Sequence, residues 1–369
     1  MTESVDVVAS AEQQEKHARV VALLRRRGLD ALLLTRAPHI AWISGGARAY
    51  VDTATDRAIA ALLLTPAGQV AVTDNIEAPR LRDEEPLSPW GLVVHPWYEA
   101  VDDVTTLTAG LLVGADAPVP RTLDVAADLR EARAPLVPAE IERLRSLGRD
   151  VGAAMMLVAR AVERGMTEHQ VAGLMARAIY DVGAVPTIVQ AAAGERAERY
   201  RHALPTDAVV DSTLQWAVCA RRHGLIVSAT RLLCFGPVPA ALQEKLRCTA
   251  IVEATALAAT RPGATLGEVF AHIQRGWTAV GYPEAWRQHH QGGPCSYDAR
   301  DVIVTPDDAG LVRAPQAFAW NPSLPGAKSE DTVLVTESGP EFLTRTPGWP
   351  TIQIMVNGRS VIANGVLQR

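Results

Sequence analysis

The sequence predicts an α/β (α+β) protein with two domains, and three patterns carry this prediction. A helical apolar period near the N-terminus is followed by strand-like apolar runs, which is typical of a small α/β domain. A Pro- and Ala-rich passage at 134–138 interrupts that pattern, and a long helical stretch begins directly after it. The C-terminal part repeats itself with an offset of 98 residues, from Thr167 to Thr265. We therefore predict domains at 1–137 and 138–369.

The first domain shows its elements in order along the chain. An amphipathic helix is predicted over 15–27, where apolar side chains recur at helical spacing. Buried strands are predicted at 31–35, 58–65 and 69–73, and the turn at 66–68 contains Pro and Gly. This turn predicts that the last two strands form a hairpin.

The second domain contains two similar helical segments. Thr167 and Thr265 each have the chemistry of a helix N-cap, and each predicted helix of about four turns ends at a glycine, Gly183 or Gly281. The segments either resemble each other by chance or belong to two related halves, and we favour the second interpretation. It predicts a pseudo-twofold arrangement with a curved antiparallel sheet, helices outside and a ligand pocket between the halves.

Composition limits the possible classes of function. About half of the 369 residues are apolar, which suffices for two sizeable cores. No apolar run reaches the roughly 18 to 20 residues of a membrane span, and Met1–Ser4 show no signal pattern, so we expect a cytoplasmic protein without a membrane partner. The net charge of -5 argues against nucleic acid and favours a small molecule or short peptide as the partner. The four cysteines lack CxxC spacing, which predicts reduced thiols.

Several segments resemble the creatinase, prolidase and aminopeptidase P family. The run 32–45 is similar to a segment of the family's N-terminal domain. The stretches 138–168, 215–236 and 332–344 are similar to the opening helices, the central hairpin and the closing strands of its catalytic domain. The resemblance covers nearly the whole chain and implies a pita-bread fold for the second domain. A homodimer is also implied by this resemblance alone.

The resemblance implies a metal site that this sequence has largely lost. In the family, two Asp, one His and two Glu form a dinuclear site. The two Asp positions fall on Ala217 and Ser228, the His on His290, and the two Glu on Asn321 and Glu330. One His and one Glu leave most of the charge of two metal ions uncompensated. We therefore predict no metal and no cofactor.

A mononuclear metal site is the alternative, since three N or O ligands suffice for a catalytic zinc. Its candidate ligands are His202, His223, His289 and Asp298.

The same resemblance suggests the catalytic residues. Creatinase works without metal and uses a histidine for proton transfer, and His202 matches the family's catalytic His. His290 is predicted as an electrophilic or orienting partner, and the glycines after it predict close approach of the backbone to a ligand. Glu330 is predicted to anchor a cationic substrate group or to pair with Lys328, Arg231 or His290. The predicted substrate-binding residues are Ser228, Arg231, His289, Tyr297, Arg300, Asn321 and Lys328.

These residues predict a metal-independent, creatinase-like hydrolase, with His202 as general acid and base. It would cleave a C–N bond in a small polar substrate that is amino-acid-like or cationic. The alternatives are a metal-dependent Xaa-Pro aminopeptidase or dipeptidase, a His-dependent lyase or isomerase, and a non-catalytic peptide-binding pita-bread module.

Overall fold

The structure of the protein is a computed structural model, which describes residues 10–85, 87, 90–99, 103–356 and 358–369. Met1–Ser4, on which the prediction of no signal pattern rests, lie outside these residues. The chain forms two compact units, one up to Glu140 with His223–Leu225 and one from Ile141 onward without that short segment. The boundary at 137/138 stays a prediction, because a division by contacts does not test whether either part folds alone.

The first unit contains a six-stranded mixed sheet. Its strands are β1 (Ala31–Arg36), β2 (Arg57–Thr65), β3 (Gly68–Asp74), β4 (Gly91–His95), β5 (Val113–Ala115) and β6 (Leu123–Asp124). Its helices are α1 (Ala11–Arg27), α2 (Ala37–Ser44), α3 (Ala78–Asp83), α4 (Asp103–Leu107) and α5 (Ala126–Arg133). The strand order is β4-β3-β2-β1-β5-β6. Strands β2 and β3 pair antiparallel, with Leu64 opposite Gln69, as the predicted hairpin requires.

Helix α1 begins and ends with the capping chemistry that its sequence contains. The Ser10 side chain accepts a hydrogen bond from the Gln13 backbone, and Gly28 adopts the left-handed conformation after the last turn. The helix also carries a fully buried cation, Lys16, whose ammonium lies 2.6 Å from Glu12 and 2.8 Å from Glu140. These two carboxylates offset the cost of burying the charge.

The second unit contains most of the long helix α6, helices α7 to α10 and two four-stranded sheets. The helices are α6 (Pro138–Ala161), α7 (Glu168–Asp181), α8 (Glu195–Arg199), α9 (Ala240–Ala259) and α10 (Leu266–Ala279), with a 3-10 helix at Ala285–Gln288. The strands are β7 (Val185–Ala193), β8 (Thr213–Arg222), β9 (Leu225–Cys234), β10 (Gly292–Pro294), β11 (Gln316–Trp320), β12 (Ser323–Leu324), β13 (Ala327–Lys328), β14 (Val333–Thr336), β15 (Gly339–Phe342), β16 (Thr351–Val356), β17 (Arg359–Asn364) and β18 (Val366–Gln368).

The predicted curved sheet is divided into two sheets, β18-β9-β8-β7 and β10-β11-β14-β15. Strand β7 pairs antiparallel with β8, and β11 pairs antiparallel with β10 and β14. Strand β14 also pairs antiparallel with β15, whereas β18 pairs with β9 in parallel. Strand β9 is joined to the other half by backbone hydrogen bonds from Ile226 to Ser296, at 2.7 Å, and from Thr230 to Glu330, at 3.1 Å. The predicted site residues on β9 and those near Ser296 and Glu330 therefore lie where the two halves of the second unit contact each other.

The two helical segments of the internal repeat have the same N-cap and C-terminal geometry, as predicted. Thr167 and Thr265 each accept a hydrogen bond from the third helical residue, at 3.2 and 3.1 Å, and each belongs to a capping box. Helices α7 and α10 both have 14 residues, and Gly183 and Gly281 follow them with φ of 70° and 85°. Among the described residues, no helix has the length and apolar character that crossing a membrane requires.

Two helical glycines give opposite expectations for stability. A Cβ at Gly152 in α6 would lie 2.1 Å from the Arg345 carbonyl oxygen, whereas a Cβ at Gly173 in α7 would meet no atom within 4 Å. We expect Gly152→Ala to lower the free energy of unfolding by about 1–3 kcal/mol through overpacking. We expect Gly173→Ala to raise it by about 0.5–1 kcal/mol, because alanine restricts the unfolded chain. Urea denaturation measures both, and equal effects of the same sign would contradict this packing.

Candidate active site

Three histidines lie together on two loops of the second unit. His202 follows α8, whereas His289 and His290 lie between the 3-10 helix and β10. The Nε2 atoms of His202 and His289 are 3.1 Å apart, at hydrogen-bond distance. The rings of His289 and His290 stack at 4.4 Å, and His202 lies 5.6 Å from His290. The structure thus brings the two predicted histidines together, but the direct partner of His202 is His289.

The histidine loop is held by a buried glutamine that the sequence analysis did not consider. Gln291 donates a hydrogen bond to the His289 carbonyl oxygen at 2.6 Å and accepts one from Trp277 at 2.8 Å. Trp277 belongs to α10 and is part of the core of this half. The position of His289 therefore depends on the packing of α10.

The two glycines after His290 lie close to the protein's own backbone, and the predicted close approach to a ligand stays a prediction. A Cβ at Gly292 would lie 2.2 Å from the Ala319 carbonyl oxygen, and one at Gly293 would lie 2.3 Å from that of Val302. Gly292 also has φ of 98°, which favours glycine. The close approach is to the protein's own backbone.

A buried ion-pair network lies at the centre of the site. Glu330 receives Arg300 Nη2 on Oε1 at 2.6 Å and Lys328 Nζ on Oε2 at 2.8 Å. The Thr230 hydroxyl also donates to Oε2 at 2.6 Å. The side chains of Lys328, Glu330 and Arg300 are only 6, 5 and 9% exposed. Burial alone would raise the pKa of Glu330, but the charges of Lys328 and Arg300 hold it well below its usual range.

Arg231, predicted to contact substrate or to pair with Glu330, has another role. It is fully enclosed and pairs with Asp331 at 2.9 Å. Its remaining nitrogens donate to the Thr230 and Thr344 carbonyl oxygens and to the Thr346 hydroxyl. Every guanidinium nitrogen thus donates to a group of the protein itself. Arg231 therefore fixes the position of Asp331 and does not face the ligand. Tyr297, also predicted to bind substrate, is enclosed as well, with 1% of its surface exposed.

The segment 328–331 is fixed by alternating contacts. Lys328 and Glu330 pair with each other, while Ser329 donates to Glu253 at 2.5 Å and Asp331 pairs with Arg231. Glu253 is buried, and burial together with the nearby charge of Asp331 raises its pKa. Each side chain of the segment therefore has a partner that fixes its direction.

The positions that resemble the family's Asp ligands have no charge. Ala217 lies on β8 and Ser228 on β9, and both are buried. Ser228 accepts a hydrogen bond from Arg300 Nη1 at 3.2 Å, and its hydroxyl also lies 3.2 Å from the Cys219 sulfur. The guanidinium of Arg300 thus contacts both Ser228 and Glu330. Two permanent cations beside one carboxylate do not fit a dinuclear metal centre.

Burial and nearby positive charge lower the pKa of all three imidazoles. Burial, followed by the charge of Lys328, lowers the pKa of His289 to about 2 and that of His202 below 6.5. Burial, followed by the charge of Arg300, lowers the pKa of His290 to about 4. Neutral imidazole can accept a proton or ligate a metal, so both functions are open to these side chains.

Asn321 is a buried polar side chain at a position where the family resemblance implies a glutamate. Its backbone N–H donates to the Gln291 carbonyl oxygen at 3.0 Å. Its side-chain oxygen is buried and has no hydrogen-bond partner within the described chain. A buried unsatisfied acceptor is costly, which favours a ligand that donates an N–H or O–H group there.

Besides Gln291, two further members of the site were not predicted, Thr230 and Cys219. For Thr230 a signal exists, because it is two residues from Ser228 on the same strand and so lies on the same face. Cys219 contacts Ser228 across the hairpin, a pairing that composition does not reveal.

Removing the charge of Lys328 should change the titration of the histidines. We expect Lys328→Gln to raise the pKa of His202 and His289, because the positive charge that disfavours their protonation is lost. Histidine ¹⁵N NMR over a pH series measures this shift. Lys245→Gln is the matched control, since Lys245 is paired with Glu198 at 3.7 Å. Unchanged histidine pKa values in Lys328→Gln would contradict the described proximity.

The chain is similar in sequence to two known protein families. The profile of metallopeptidase family M24 matches residues 142–337, and that of the creatinase/prolidase N-terminal domain matches residues 16–147. An uncharacterized peptidase of Staphylococcus saprophyticus is 33% identical over 120 residues, which cover 31% of this chain and 34% of that protein. The chain thus matches about a third of the length of this curated relative.

Two solved structures show the same fold. The dipeptidase PepE from Mycobacterium ulcerans is 21% identical, with a TM-score of 0.77 over 97% of this chain and 99% of that one. The prolidase from Pyrococcus horikoshii is 18% identical, with a TM-score of 0.76 over 90% and 98%. The predicted pita-bread architecture is thereby confirmed. Since the family profile spans more than half of the sequence, this chain belongs to metallopeptidase family M24.

Proposed function

We propose that the protein is a metal-independent, creatinase-like hydrolase that cleaves a C–N bond in a small polar, amino-acid-like molecule. One observation carries the proposal: Lys328 and Arg300 pair with Glu330 where the resemblance implies metal ligands. These side chains supply fixed positive charge beside three neutral imidazoles. Electrostatic stabilisation of developing negative charge does not require that the charge come from a metal.

His202 serves as general base and then as general acid. It is the most exposed of the three histidines, so water reaches it and its imidazolium form is the best solvated. The Nε2 atoms of His202 and His289 are 3.1 Å apart. In the proposed tautomer, His202 Nε2–H donates to His289 Nε2, so that His202 Nδ1 can take a proton from water. His289 then stabilises the imidazolium through a charge-assisted hydrogen bond. His290 packs against His289 and orients it.

The reaction follows from these roles. A water molecule adds its oxygen to the carbonyl or amidine-like carbon while His202 takes one of its protons. The negative charge that develops on the substrate heteroatom is stabilised by Lys328 and Arg300. The C–N bond then breaks, and the leaving nitrogen takes the proton from His202. One water is consumed, and an acid or urea-type product and a free amine form.

Glu330 positions the two cations. Three of its roughly four acceptor positions are filled by Lys328, Arg300 and Thr230, so it offers little to a cationic substrate group. Asn321, with its unpaired oxygen, is placed to accept an N–H of the substrate. Ser228 accepts a hydrogen bond from Arg300 and so positions Arg300, instead of binding the substrate itself.

A mononuclear metal enzyme is the second candidate, and the histidine cluster favours it. The ligand atoms of His202, His289 and His290 all lie within 4.8 Å of one another, and three such ligands suffice for zinc. Two observations speak against it. Lys328 and Arg300 repel a divalent cation, and the buried Nδ1 atoms of His289 and His290 lack the acceptors that usually orient metal-bound histidines.

A lyase, an isomerase and a non-catalytic peptide-binding module are compatible with the same scaffold, and product analysis separates them. The cytoplasmic location remains a prediction from the sequence, and the homodimer remains an expectation from the family resemblance alone.

Metal removal tests the proposal directly. We expect protein dialysed against 1,10-phenanthroline and EDTA to retain full hydrolysis of any substrate found among creatine-like, ectoine-like and Xaa-Pro compounds, because no step uses a metal. Product amines are quantified by mass spectrometry, and metal content by elemental analysis. Loss of activity on chelation, with recovery on adding zinc or manganese to one equivalent, would establish the metal-dependent alternative.

His202→Ala should abolish turnover while the fold stays intact. We expect kcat to fall by about 10²–10⁴-fold, the usual contribution of general acid–base catalysis. His272→Ala, on the exposed face of α10, is the control and should retain wild-type kcat. Unaltered turnover in His202→Ala would remove His202 from the mechanism.

The pH profile supplies a second readout of the same role. His202 acts as a base only when neutral, so kcat/KM falls as pH drops through its pKa. Because burial and Lys328 lower this pKa, the acidic limb should lie below pH 6.5. An acidic limb above pH 6.5 would assign the base to another group.

A further inference from the structure

We propose that Glu168 is a positioning residue for His202. Its buried carboxylate holds both ends of the loop 194–206, called the His202 loop below, and so fixes where the His202 imidazole lies. The consequence for catalysis rests on the proposed function, in which His202 transfers protons. The attachment of the loop to Glu168 is measurable without turnover.

The carboxylate of Glu168 is fully enclosed and is a shared acceptor for the two ends of the His202 loop. At the first end, Oε1 accepts hydrogen bonds from the Ala193 backbone N–H at 2.8 Å and from Arg196 Nε at 3.0 Å. Arg196 Nε also lies 3.1 Å from Oε2. At the second end, Oε2 accepts from the Thr206 backbone N–H at 2.9 Å and from its hydroxyl at 2.8 Å. One planar group therefore sets the separation of the two ends.

Arg196 adds a link inside the same loop. Its Nη2 donates to the Leu204 carbonyl oxygen at 2.9 Å, two residues after His202. Its Nε pairs with Glu168, whose side chain is 0% exposed. Because a buried carboxylate is costly unless its charge is paired and hydrogen-bonded, the enclosed position of Glu168 is stable only when the loop supplies these donors. The ion pair and the conformation of the loop therefore stabilise each other.

The second half of the repeat forms the same helix start without a carboxylate. The offset of 98 residues places Leu266 at the position of Glu168, and each is the first residue of its helix. The Glu168 N–H donates to the Ala208 carbonyl oxygen at 2.9 Å, and the Leu266 N–H donates to that of Gly310 at 2.7 Å. Leu266 belongs to the apolar core of its half. The shared backbone framework thus forms around an apolar residue, and the buried charge is specific to the half that contains His202.

The position of His202 depends strongly on its loop. Its side chain is exposed, so packing around the ring contributes little to its placement. Its Nε2 must nevertheless lie at hydrogen-bond distance from His289 Nε2, and the separation is 3.1 Å. A catalytic group that is misplaced by about 1 Å can lose about 100-fold in rate. Anchoring both ends of the loop to one carboxylate restricts such a displacement.

Glu168→Gln tests the proposal, because it removes part of this attachment at nearly constant volume. A carboxamide has one acceptor oxygen, and its NH₂ group cannot accept from the donors at the other end. With a substrate from the panel above, we expect kcat to fall by about 10–100-fold and KM to change by less than about 3-fold. We expect the backbone amides of the His202 loop to exchange with deuterium about 10-fold faster, as measured by mass spectrometry of peptic peptides.

Gln170→Ala is the matched control at the same helix start. Gln170 Oε1 accepts from the Thr167 backbone N–H at 2.8 Å, so its loss weakens the capping box but leaves the Glu168 carboxylate unchanged. We expect a lower Tm with wild-type kcat and wild-type exchange in the His202 loop. If Glu168→Gln also lowers only the Tm, Glu168 has a structural role alone and the proposal is overturned.

Arg196→Met is the second variant, and it decides the question if Glu168→Gln does not fold by circular dichroism. Arg196 is 27% exposed, and its replacement removes the link between Glu168 and the Leu204 carbonyl oxygen. We expect slower turnover at similar KM and faster exchange in the His202 loop. Wild-type kcat together with wild-type exchange would contradict the proposal.

The outcomes separate this proposal from the proposed function. Faster exchange of the His202 loop in Glu168→Gln, in a protein that hydrolyses no compound of the panel, would support the attachment and count against the hydrolase. Hydrolysis by Glu168→Gln with wild-type kcat would support the hydrolase and overturn the positioning role of Glu168.

Discussion

The buried ion pairs between Glu330 and the two cations Lys328 and Arg300 are the interaction on which the site depends. They join three separate segments: the end of β13 with the residues after it, the loop after β10 and, through Thr230, strand β9. The Thr230 backbone N–H also donates to the Glu330 carbonyl oxygen, so side-chain and main-chain bonds fix the same junction. A substitution that changes the ion pairs of Glu330 is therefore expected also to change how the two halves of the second unit are aligned.

Features set by neighbouring residues were predictable from the sequence. The β2–β3 hairpin followed from a Pro- and Gly-containing turn between two apolar runs, and the twin helices followed from Thr caps at equal spacing. The proximity of His202 to His290 was accessible only through the family resemblance, since 88 residues separate them and no local pattern relates them. The lack of charge at Ala217 and Ser228 followed directly from their residue types.

Features set by the direction of side chains were not all predicted. Residue type made Arg231 a plausible partner for Glu330, but Thr230 and Arg231 are adjacent on a strand and must face opposite sides. Once Thr230 faces Glu330, Arg231 faces Asp331. Likewise, His289 rather than His290 contacts His202, because Gln291 and Trp277 fix the turn of that loop. These choices depend on packing between distant segments.

Lys328 and Arg300 are part of the polypeptide, so their positive charges are present as soon as the protein has folded. A bound metal ion is acquired after folding and can exchange with the surroundings, so a metalloenzyme exists in loaded and unloaded forms. Cationic side chains arrive with the polypeptide and reach their place when the two halves close. In the proposed enzyme the folded state has no apo form, and the number of active molecules equals the number of folded ones.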